Sequence, residues 1–319
     1  MSHKPVLLKE IIALLDPQPG EFFIDGTIGS GGHAEEILKR IGANGKLLGS
    51  DWDAERIENC KLKIGNYQNA ILVQGNYANL PEILKEKKFG KADGLLLDLG
   101  FSSDQIEESG KGFSFMKDEP LDMRYDHEAW SMEHETGNIE HGAGNMERET
   151  WNREHGISMT AAEVINSFSE KDLADIFWKY GEERASRKIA KAIAEARRKE
   201  KIITTFQLVR IIEKVLPRRG RLHPATKVFQ ALRIYVNQEF ENLENALKNI
   251  DKTIKNQGRI AIISFHSLED RIVKNRFREL EKQGKAKILT KKPIVATKEE
   301  IQTNPRSRSA KVRAIIMNH

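Results

Sequence analysis

The sequence predicts an α/β fold, a doubly wound parallel sheet into which a small helical domain is inserted. Four short apolar segments read as strands, and three of them end in an acid. Four glycines lie within residues 26–32, directly after the first of these segments, and a helical pattern follows them. From residue 160 onward, apolar residues repeat at helical spacing instead. The predicted strands are residues 22–25, 46–51, 70–77 and 91–100.

The glycine turn at residues 26–32 is the centre of the predicted site. Glycine lacks a Cβ, so the backbone can turn sharply there and approach a ligand closely. In a doubly wound sheet, ligands bind at the carboxyl ends of the strands, which is where this turn begins. The spacing G-x-x-G-x-G-G differs from the dinucleotide fingerprint G-x-G-x-x-G, so the motif is imperfect. A plain strand-to-helix turn is the alternative interpretation.

Three carboxylates are predicted near this turn. Asp25 ends the first strand, Asp51 ends the second strand 22 residues after Gly29, and Asp98 ends the fourth. A carboxylate at the position of Asp51 can accept hydrogen bonds from two ribose hydroxyls, as the acid does in nucleoside-binding α/β folds. The carboxyl ends of the strands are therefore predicted to form one acidic site.

This acidic site favours a particular kind of ligand. A pyrophosphate would need positive charge around it, whereas three acids suit a ligand with hydroxyl groups and a cationic centre. Asn76 and Tyr77, after the third strand, are placed to frame an adenine ring. These residues predict S-adenosylmethionine as the ligand. Each aspartate alone also fits a turn-forming role, which is the alternative.

The formal net charge of +5 hides an uneven distribution of charge. Residues 126–158 contain eight acids and two arginines, so the rest of the chain carries a net charge of +11. Residues 285–319 hold nine Lys or Arg against two Glu, and four more cations crowd residues 218–227. Such an excess suits a polyanion, because phosphate contacts dominate affinity for nucleic acids. Solvated surface lysines are the alternative interpretation.

Composition also narrows the class of protein. The 319 residues include one cysteine, Cys60, which excludes a disulfide framework and a thiolate metal cluster. The N-terminal residues do not resemble a signal peptide, and no apolar run approaches the ~20 residues that span a bilayer. We therefore expect a soluble, cytoplasmic protein with no membrane contact. The sequence leaves open whether it forms a homodimer.

Seven segments resemble, in the same order, the signature segments of the bacterial 16S rRNA (cytosine-N4)-methyltransferase family (RsmH or MraW). They cover nearly the whole chain outside residues 126–158, so the resemblance is far more specific than a glycine turn. The segments are DLGFSS (98–103), KGFSF (111–115), PLDMR (120–124), YGEE (180–183), HPATKVFQALRIYVN (223–237), SFHSLEDRIVK (264–274) and NPRSRSAKVR (304–313).

The resemblance implies a Rossmann-like class I methyltransferase sheet with an inserted helical domain. It implies an enzyme that transfers a methyl group from S-adenosylmethionine to the exocyclic N4 of a cytidine in the decoding region of 16S rRNA. The implied partner is the small ribosomal subunit or its rRNA. The implied cofactor contacts are Gly31, Gly32, His33, Asp51, Tyr77, Asp98 and Gln105.

Methylation of a cytosine amino group makes its own chemical demands. The N4 lone pair is delocalised into the ring, so an acceptor that holds the amino group assists its attack. Alignment of nitrogen, methyl carbon and sulfur is mainly a matter of positioning. We predict that Asp98 or a neighbouring backbone carbonyl is this acceptor, and that Ser102 and Ser103 shape the turn. His266 is a conceivable general base, but a histidine that hydrogen-bonds a turn is the commoner case.

Contacts to RNA are predicted in two regions. Phe113 and Phe115 lie one residue apart in a loop with glycine and serine, and they are suited to stacking on an unpaired base. A place in the core is the alternative for one of the two. Arg124, together with Arg306 and Arg308 in a Pro-Arg-Ser-Arg-Ser loop, is a further candidate. A solvated loop is the alternative for Arg306 and Arg308.

The sequence predicts that the chain is organised in three parts. Residues 1–125 and 220–319 form a discontinuous methyltransferase domain, and residues 160–219 form an inserted helical domain for RNA recognition. Residues 126–159 are a tandem heptapeptide repeat with about one apolar seam position per heptad, too few for a coiled coil, so we expect a mostly disordered surface loop. Its His and Glu spacing invites a metal hypothesis, but without rigidity we expect no functional metal site.

Local patterns predict several further elements. They are a short helix that ends at Asp16-Pro17, a capping box at Thr160 and Glu163, a helix from Thr204 to Leu216, a long helix over 226–250, a returning strand at 259–263 and a final edge strand at 310–317.

Two other functions are consistent with parts of the sequence. A methyltransferase for another RNA or for a small molecule would share the cofactor half, but a small-molecule enzyme would have little use for the basic segments. A non-catalytic RNA-binding protein would explain the charge and leave the glycine turn and its acids without a role. The family resemblance favours the rRNA enzyme over both.

Overall fold

The structure, a computed structural model, describes residues 4–100, 109–125, 159–218 and 222–318. Most of the predicted repeat loop, residues 126–158, lies outside these residues. The chain divides into two compact units. We call residues 1–100 with 240–319 the sheet unit, and residues 101–239 the helical unit.

Helices and strands alternate in the first part of the chain, as the sequence predicts. The elements are α1 (Leu8–Leu15), β1 (Phe22–Asp25), α2 (Gly32–Ile41), β2 (Lys46–Asp51), α3 (Ala54–Ile64), β3 (Ala70–Gln74), a 3-10 helix (Tyr77–Asn79), α4 (Leu80–Glu86) and β4 (Ala92–Asp98).

The helical unit follows β4 in the chain. Its helices are α5 (Ala161–Ser167), α6 (Glu170–Gly181), α7 (Ser186–Arg197), α8 (Thr205–Val215) and α9 (Thr226–Val236). The remaining elements are α10 (Glu239–Lys248), α11 (Ile250–Thr253), β5 (Ile254–Ser264), α12 (Ser267–Lys282), β6 (Ala286–Ile288), β7 (Ile294–Val295), α13 (Lys298–Thr303), a 3-10 helix (Pro305–Ser309) and β8 (Lys311–Met317). Across the described residues, no helix combines the length and the apolar character that a membrane span requires.

The strands form one sheet in the order β3-β2-β1-β4-β5-β8-β6, with β7 also paired to β8. The strands from β3 to β5 are parallel, and β8 runs antiparallel to both β5 and β6. Strand order reverses between β1 and β4, which is where doubly wound sheets bind ligands. This topology confirms the predicted fold class. The prediction of an edge position for the last strand is wrong, because β6 covers its outer side.

Alternate residues of the central strands point into two separate cores. Phe23 and Leu96 belong to a cluster that includes residues of α1, α2 and α3. Ile24 and Leu95 belong to a second cluster, with residues of α4, α10 and α12. All four side chains are at most 2% exposed. The sheet is therefore covered on both faces, as its continuous apolar strands require.

Two capping boxes fix helix starts in the helical unit. The Glu163 N–H donates to Thr160 Oγ1 at 3.1 Å and the Thr160 N–H donates to Glu163 Oε2 at 2.8 Å, which confirms the predicted capping box. Thr204 and Gln207 repeat this arrangement at α8. The helices pack through buried apolar residues that include Phe177, Ile189, Ile193, Leu208 and Leu232.

The helical unit is larger than the predicted insertion of residues 160–219. The Leu121 N–H donates to the Ile203 carbonyl at 2.9 Å, and the Thr205 N–H donates to the Glu119 carbonyl at 3.0 Å. These bonds join residues 109–125 to the start of α8, so this segment belongs to the helical unit and not to the sheet unit.

The single long helix predicted over residues 226–250 is wrong. The chain leaves the helix after Val236, and Gln238 has a left-handed φ of 50°. The Asn237 side chain donates to the Met123 carbonyl at 2.7 Å and to the Arg233 carbonyl at 2.9 Å. These hydrogen bonds within the helical unit stabilise a break that helical periodicity does not reveal.

Candidate functional site

The glycine turn joins β1 to α2 at the switch point of the sheet. Gly29 and Gly31 have positive φ angles of 49° and 75°. A Cβ at Gly31 would lie 2.9 Å from Cys60 Sγ, which is closer than side chains approach one another. Burial raises the pKa of the Cys60 thiol to about 12, so this sulfur is an inert packing group. The turn therefore has both the backbone shape and the close packing that only glycine allows.

This close packing leads to a prediction for Gly31→Ala. The substitution adds both backbone strain and a contact with Cys60, whereas Gly284→Ala adds strain alone, because Gly284 has a φ of 73° and open space around it. We expect Gly31→Ala to lower the free energy of unfolding by about 1–2 kcal/mol more than Gly284→Ala does. Denaturant unfolding measures both. If Cys60→Ala in the Gly31→Ala background recovers none of the difference, the contact is not its cause.

Asp51, at the end of β2, is hydrogen-bonded to the glycine turn. Its carboxylate accepts the Gly29 N–H at 3.0 Å and the Asp53 N–H at 3.1 Å, and Arg56 Nη1 lies 3.5 Å away. Burial raises the pKa of the Asp51 carboxyl, while the Arg56 guanidinium and the two N–H donors oppose that shift. The residue is 8% exposed. A carboxylate thus lies at the end of β2, hydrogen-bonded to the glycine turn.

Asp25 lies deeper, at the end of β1. It is 2% exposed, and its carboxyl accepts the Thr27 N–H at 3.2 Å. Burial is the main cause that raises its pKa to about 8; the nearby carboxylates of Asp98 and Asp51 contribute to this rise, and the Thr27 hydrogen bond opposes it. Asp25 therefore carries its proton at neutral pH in the protein without ligand.

The protonation of Asp25 makes stability depend on pH. Between about pH 4 and pH 8 the folded protein holds a proton on Asp25 that the unfolded chain has lost, so stability falls as pH rises through this range. Asp25→Asn removes this dependence. In melting experiments without cofactor, we expect the variant to gain about 5 °C more over the wild type at pH 8 than at pH 5. An equal gain at both pH values would contradict a buried protonated Asp25.

Asp98, at the end of β4, contacts the glycine turn and its helix. Its N–H donates to Thr27 Oγ1 at 2.6 Å, and its Oδ1 accepts the Gly100 N–H at 3.1 Å. His33 Nδ1 lies 4.0 Å from Asp98 Oδ2. The Asp98 carboxylate is more accessible than that of Asp51, with 21% of its side chain exposed against 9%. Of the three acids, Asp98 is therefore the best placed to reach a substrate.

His33 is oriented by the segment before α1. Its Nε2 lies 2.9 Å from the Val6 carbonyl, and because a carbonyl only accepts, Nε2 carries the proton. Burial lowers the pKa of the imidazole, although the Asp98 carboxylate opposes this shift. The neutral ring then turns the lone pair of Nδ1 toward Asp98.

Two residues predicted beside the site have structural partners. The Asn76 side chain accepts the Ala78 N–H at 2.8 Å and donates to Asn242 Oδ1 at 2.9 Å, which ties it to α10 and leaves Tyr77 as the candidate adenine contact. His266 caps α12: its Nδ1 accepts the Glu269 N–H at 3.4 Å, and its Nε2 lies 3.0 Å from Glu269 Oε1. The turn-binding alternative for His266 is confirmed.

The predicted RNA residues fall in several places. Within the helical unit, Phe113 stacks on Tyr125 with ring centres 5.8 Å apart, and Phe115 stacks on His223 at 4.7 Å. Arg124 is 3% exposed and forms a bidentate pair with Asp122 at 2.7 and 3.1 Å. This buried pair gives Arg124 a structural role, so it is not included in the RNA contacts proposed below.

Arg306 is half-buried and Arg308 exposed in the 3-10 helix before β8. The candidate residues Ser102, Ser103 and Gln105 lie outside the described ranges.

Sequence reasoning missed two residues of the site. Thr27 accepts the Asp98 N–H and so links β4 to the glycine turn, and Arg56 approaches Asp51 from α3. A polar residue inside the glycine turn was the available signal for Thr27. Arg56 was one of several cations on its helix, and only the fold distinguishes it from the others.

The donor groups of the site fit S-adenosylmethionine. Asp51 offers carboxylate oxygens for ribose hydroxyls, the glycine turn lets the backbone approach the ligand, and the carboxylates of Asp51 and Asp98 at the strand ends suit a cationic centre. The cation Arg56 approaches this set from α3, with its Nη1 3.5 Å from Asp51. The chemistry of this set favours a positively charged nucleoside over a polyphosphate.

A family model and two relatives of known name agree on the family to which this chain is similar. The MraW methylase family matches residues 1–136 and 153–317. A ribosomal RNA small subunit methyltransferase H from Coprothermobacter proteolyticus is 42% identical over 313 residues, which cover 98% of this chain and 95% of that protein. The protein of the same name from Clostridium botulinum strain Loch Maree is 42% identical over 329 residues, with coverage of 98% and 97%.

The chain is also similar to a solved rRNA methylase from Streptococcus thermophilus. That similarity has a TM-score of 0.43 and 8% identity, and covers 100% of this chain and 99% of the other. The family match and the relatives, taken with the site, confirm the predicted methyltransferase activity and S-adenosylmethionine as its cofactor. The chain belongs to the MraW methylase family.

Proposed function

We propose that the protein methylates the exocyclic N4 of a cytidine in the decoding region of 16S rRNA, and that it does so in the cytoplasm on the small ribosomal subunit or its rRNA. The observation that carries the proposal is the 42% identity, over nearly the whole of both chains, to enzymes named ribosomal RNA small subunit methyltransferase H. The accessible carboxylate of Asp98, next to the glycine turn, supports an amino group as the acceptor.

The residues that would hold the cofactor follow from the site. Asp51 would accept hydrogen bonds from the ribose, Tyr77 would lie against the adenine, and the backbone of Gly31 and Gly32 would line the cofactor. His33 and Asp98 would complete the wall, together with Gln105 from the sequence prediction. When bound, S-adenosylmethionine supplies an electrophilic methyl group.

Asp98 would orient the acceptor. Its carboxylate would take a hydrogen bond from the N4 amino group, which pulls electron density toward nitrogen and fixes its direction of attack. The Gly100 N–H and the Asp98 N–H bond to Thr27 hold this carboxylate in place. Ser102 and Ser103 would shape the following turn. After transfer, the nitrogen releases a proton, for which water is a sufficient acceptor.

RNA recognition would use both units. In the helical unit, the half-exposed rings of Phe113 and Phe115 offer faces for an unpaired base beside their internal stacking partners. In the sheet unit, Arg306 and Arg308 would contact phosphates.

The proposal is tested by methyl transfer to small ribosomal subunits that lack the modification. Labelled S-adenosylmethionine is supplied, the rRNA is digested, and the labelled nucleoside is identified. We expect N4-methylcytidine from the decoding region. Label in another nucleoside would assign a different acceptor atom. Absence of label from both subunits and naked rRNA, with cofactor binding intact, would overturn the proposal.

A further inference from the structure

The exposed side of α7 carries a dense row of cations. Residues 184–201 contain eight Lys or Arg and two Glu. The opposite side of the helix is apolar, with Ile189 and Ile193 fully buried. We call the exposed row the α7 basic face. Its members are Arg187, Lys188 and Lys191 within α7, Arg184 two residues before the helix and Arg198 at its C-cap, all of which are exposed.

These cations have few acidic partners. Among the residues that the structure describes, Lys191 comes within 4.0 Å of Glu195, and the other four members form no ion pair. Arg197 differs from them, because it turns inward and donates to the carbonyls of Ile165 and Phe168 at 2.6 and 2.5 Å. Arg197 thus serves the fold, whereas the five members of the α7 basic face are exposed to solvent.

The position of the charge is unfavourable for the helix itself. The first turn of α7 contains Arg187 and Lys188 and no acid, although the positive end of a helix dipole favours acids there. The helices α5 and α6 follow the usual preference, with Glu163 and Glu170 in their first turns, whereas α8 and α9 also lack an acid there. The nearest acid, Glu183, is 8% exposed and accepts the Ala185 N–H at 2.8 Å. Departures of this kind from local stability rules are typical of functional surfaces.

We propose that the α7 basic face binds the phosphate backbone of the RNA substrate. This proposal rests on the proposed rRNA methyltransferase function and assigns a contact surface to it. From Arg187 to Arg198 the row extends over about 16 Å of helix, enough to contact several phosphates. Phosphate contacts position a nucleic acid without reading its sequence. The face therefore supplies affinity and orientation, while the choice of cytidine is made elsewhere.

The test compares two triple variants that lose the same charge. One is Arg187→Gln, Lys188→Gln, Lys191→Gln; the control is Lys85→Gln, Lys87→Gln, Lys282→Gln, three exposed lysines of the sheet unit. Affinity for a naked 16S rRNA fragment with the decoding region is measured over a salt series. For the α7 variant we expect a log–log salt slope smaller by about 2–3 and an affinity about 10- to 100-fold weaker. The control keeps the wild-type slope.

Melting temperature separates binding from folding. Removing cations from the first turn of α7 leaves the helix at least as stable, so the α7 variant should melt no lower than the wild type. If its salt slope equals that of the control, the α7 basic face does not bind RNA. If naked rRNA is bound normally and only assembled subunits are bound more weakly, the face contacts a protein, and the proposal is overturned in favour of that partner.

Methyl transfer by the wild-type protein, measured on the same rRNA, distinguishes failure of the surface proposal from failure of the proposed function. If the wild type methylates the rRNA and the α7 variant keeps its salt slope, the surface proposal fails and the proposed function stands. If the wild type does not bind the rRNA and methylates neither naked rRNA nor small ribosomal subunits, both fail.

Discussion

Asp98→Asn should reduce the single-turnover rate of methyl transfer about 100- to 1000-fold at saturating cofactor. The amide retains the size of the carboxyl and an oxygen for the Gly100 N–H, so the turn after β4 is kept. It lacks the negative charge that would hold the cytosine amino group as its electron density shifts toward the methyl group. Loss of one preorganised group facing the reacting atoms typically has an effect of this size.

The matched control is Asp93→Asn, near the opposite end of the same strand. Asp93 accepts the Phe22 N–H at 2.9 Å and pairs with Lys255 at 2.9 Å, so it contributes to the fold and not to the site. Calorimetric titration with S-adenosylmethionine fixes the saturating concentration for each variant. A rate within threefold of the wild type, with cofactor bound, would remove Asp98 from the chemistry and leave the backbone carbonyl as the acceptor.

Asp51→Asn should weaken S-adenosylmethionine binding about 10- to 100-fold, the second large effect that we expect. A carboxylate that accepts two ribose hydroxyls makes two charge-assisted hydrogen bonds, and an amide replaces one of its acceptor oxygens with a donor. The fold should tolerate the change, because burial already disfavours the charge of Asp51. The melting temperature without cofactor is therefore expected to stay level or rise.

Asp53→Asn is the control for Asp51, two residues away. Asp53 caps α3 by accepting the Glu55 N–H at 3.0 Å, and asparagine caps helices equally well. Calorimetry should find its cofactor affinity within threefold of the wild type. If the two variants bind the cofactor equally, Asp51 is a structural residue of the glycine turn and the ribose has another partner.

Several elements of both units were predictable because their signals are local. Each parallel strand is a short apolar run. The glycine turn is a cluster of four glycines, which neither a helix nor a strand requires. A capping box such as that at Thr160 spans four residues. The acids at the strand ends follow from the strands, since parallel strands direct their carboxyl ends to one edge of the sheet.

The features that sequence reasoning missed depend on contacts between distant residues. The break before α10 is stabilised by Asn237, whose side chain reaches the carbonyl of Met123 in another segment. The sequence shows no partner for the Asn76 side chain, but in the structure its amide donates to Asn242, 166 residues away in the chain. Strand β6 has three residues, which are too few to show the alternation of a strand. Because the sequence prediction therefore lacked β6, it placed β8 at the edge of the sheet. Local propensity yields to tertiary contacts in each case.

The insertion of the helical unit between two neighbouring strands has a consequence for synthesis. Strands β4 and β5 pair along the middle of the sheet, yet 155 residues separate the end of one from the start of the other. At ~5–20 residues per second, the ribosome needs roughly 8 to 30 s to make the intervening chain. During that time β4, with Leu95 to Leu97 in its centre, is an apolar strand with one unpaired edge. The nascent chain thus passes through a period in which aggregation competes with completion of its sheet.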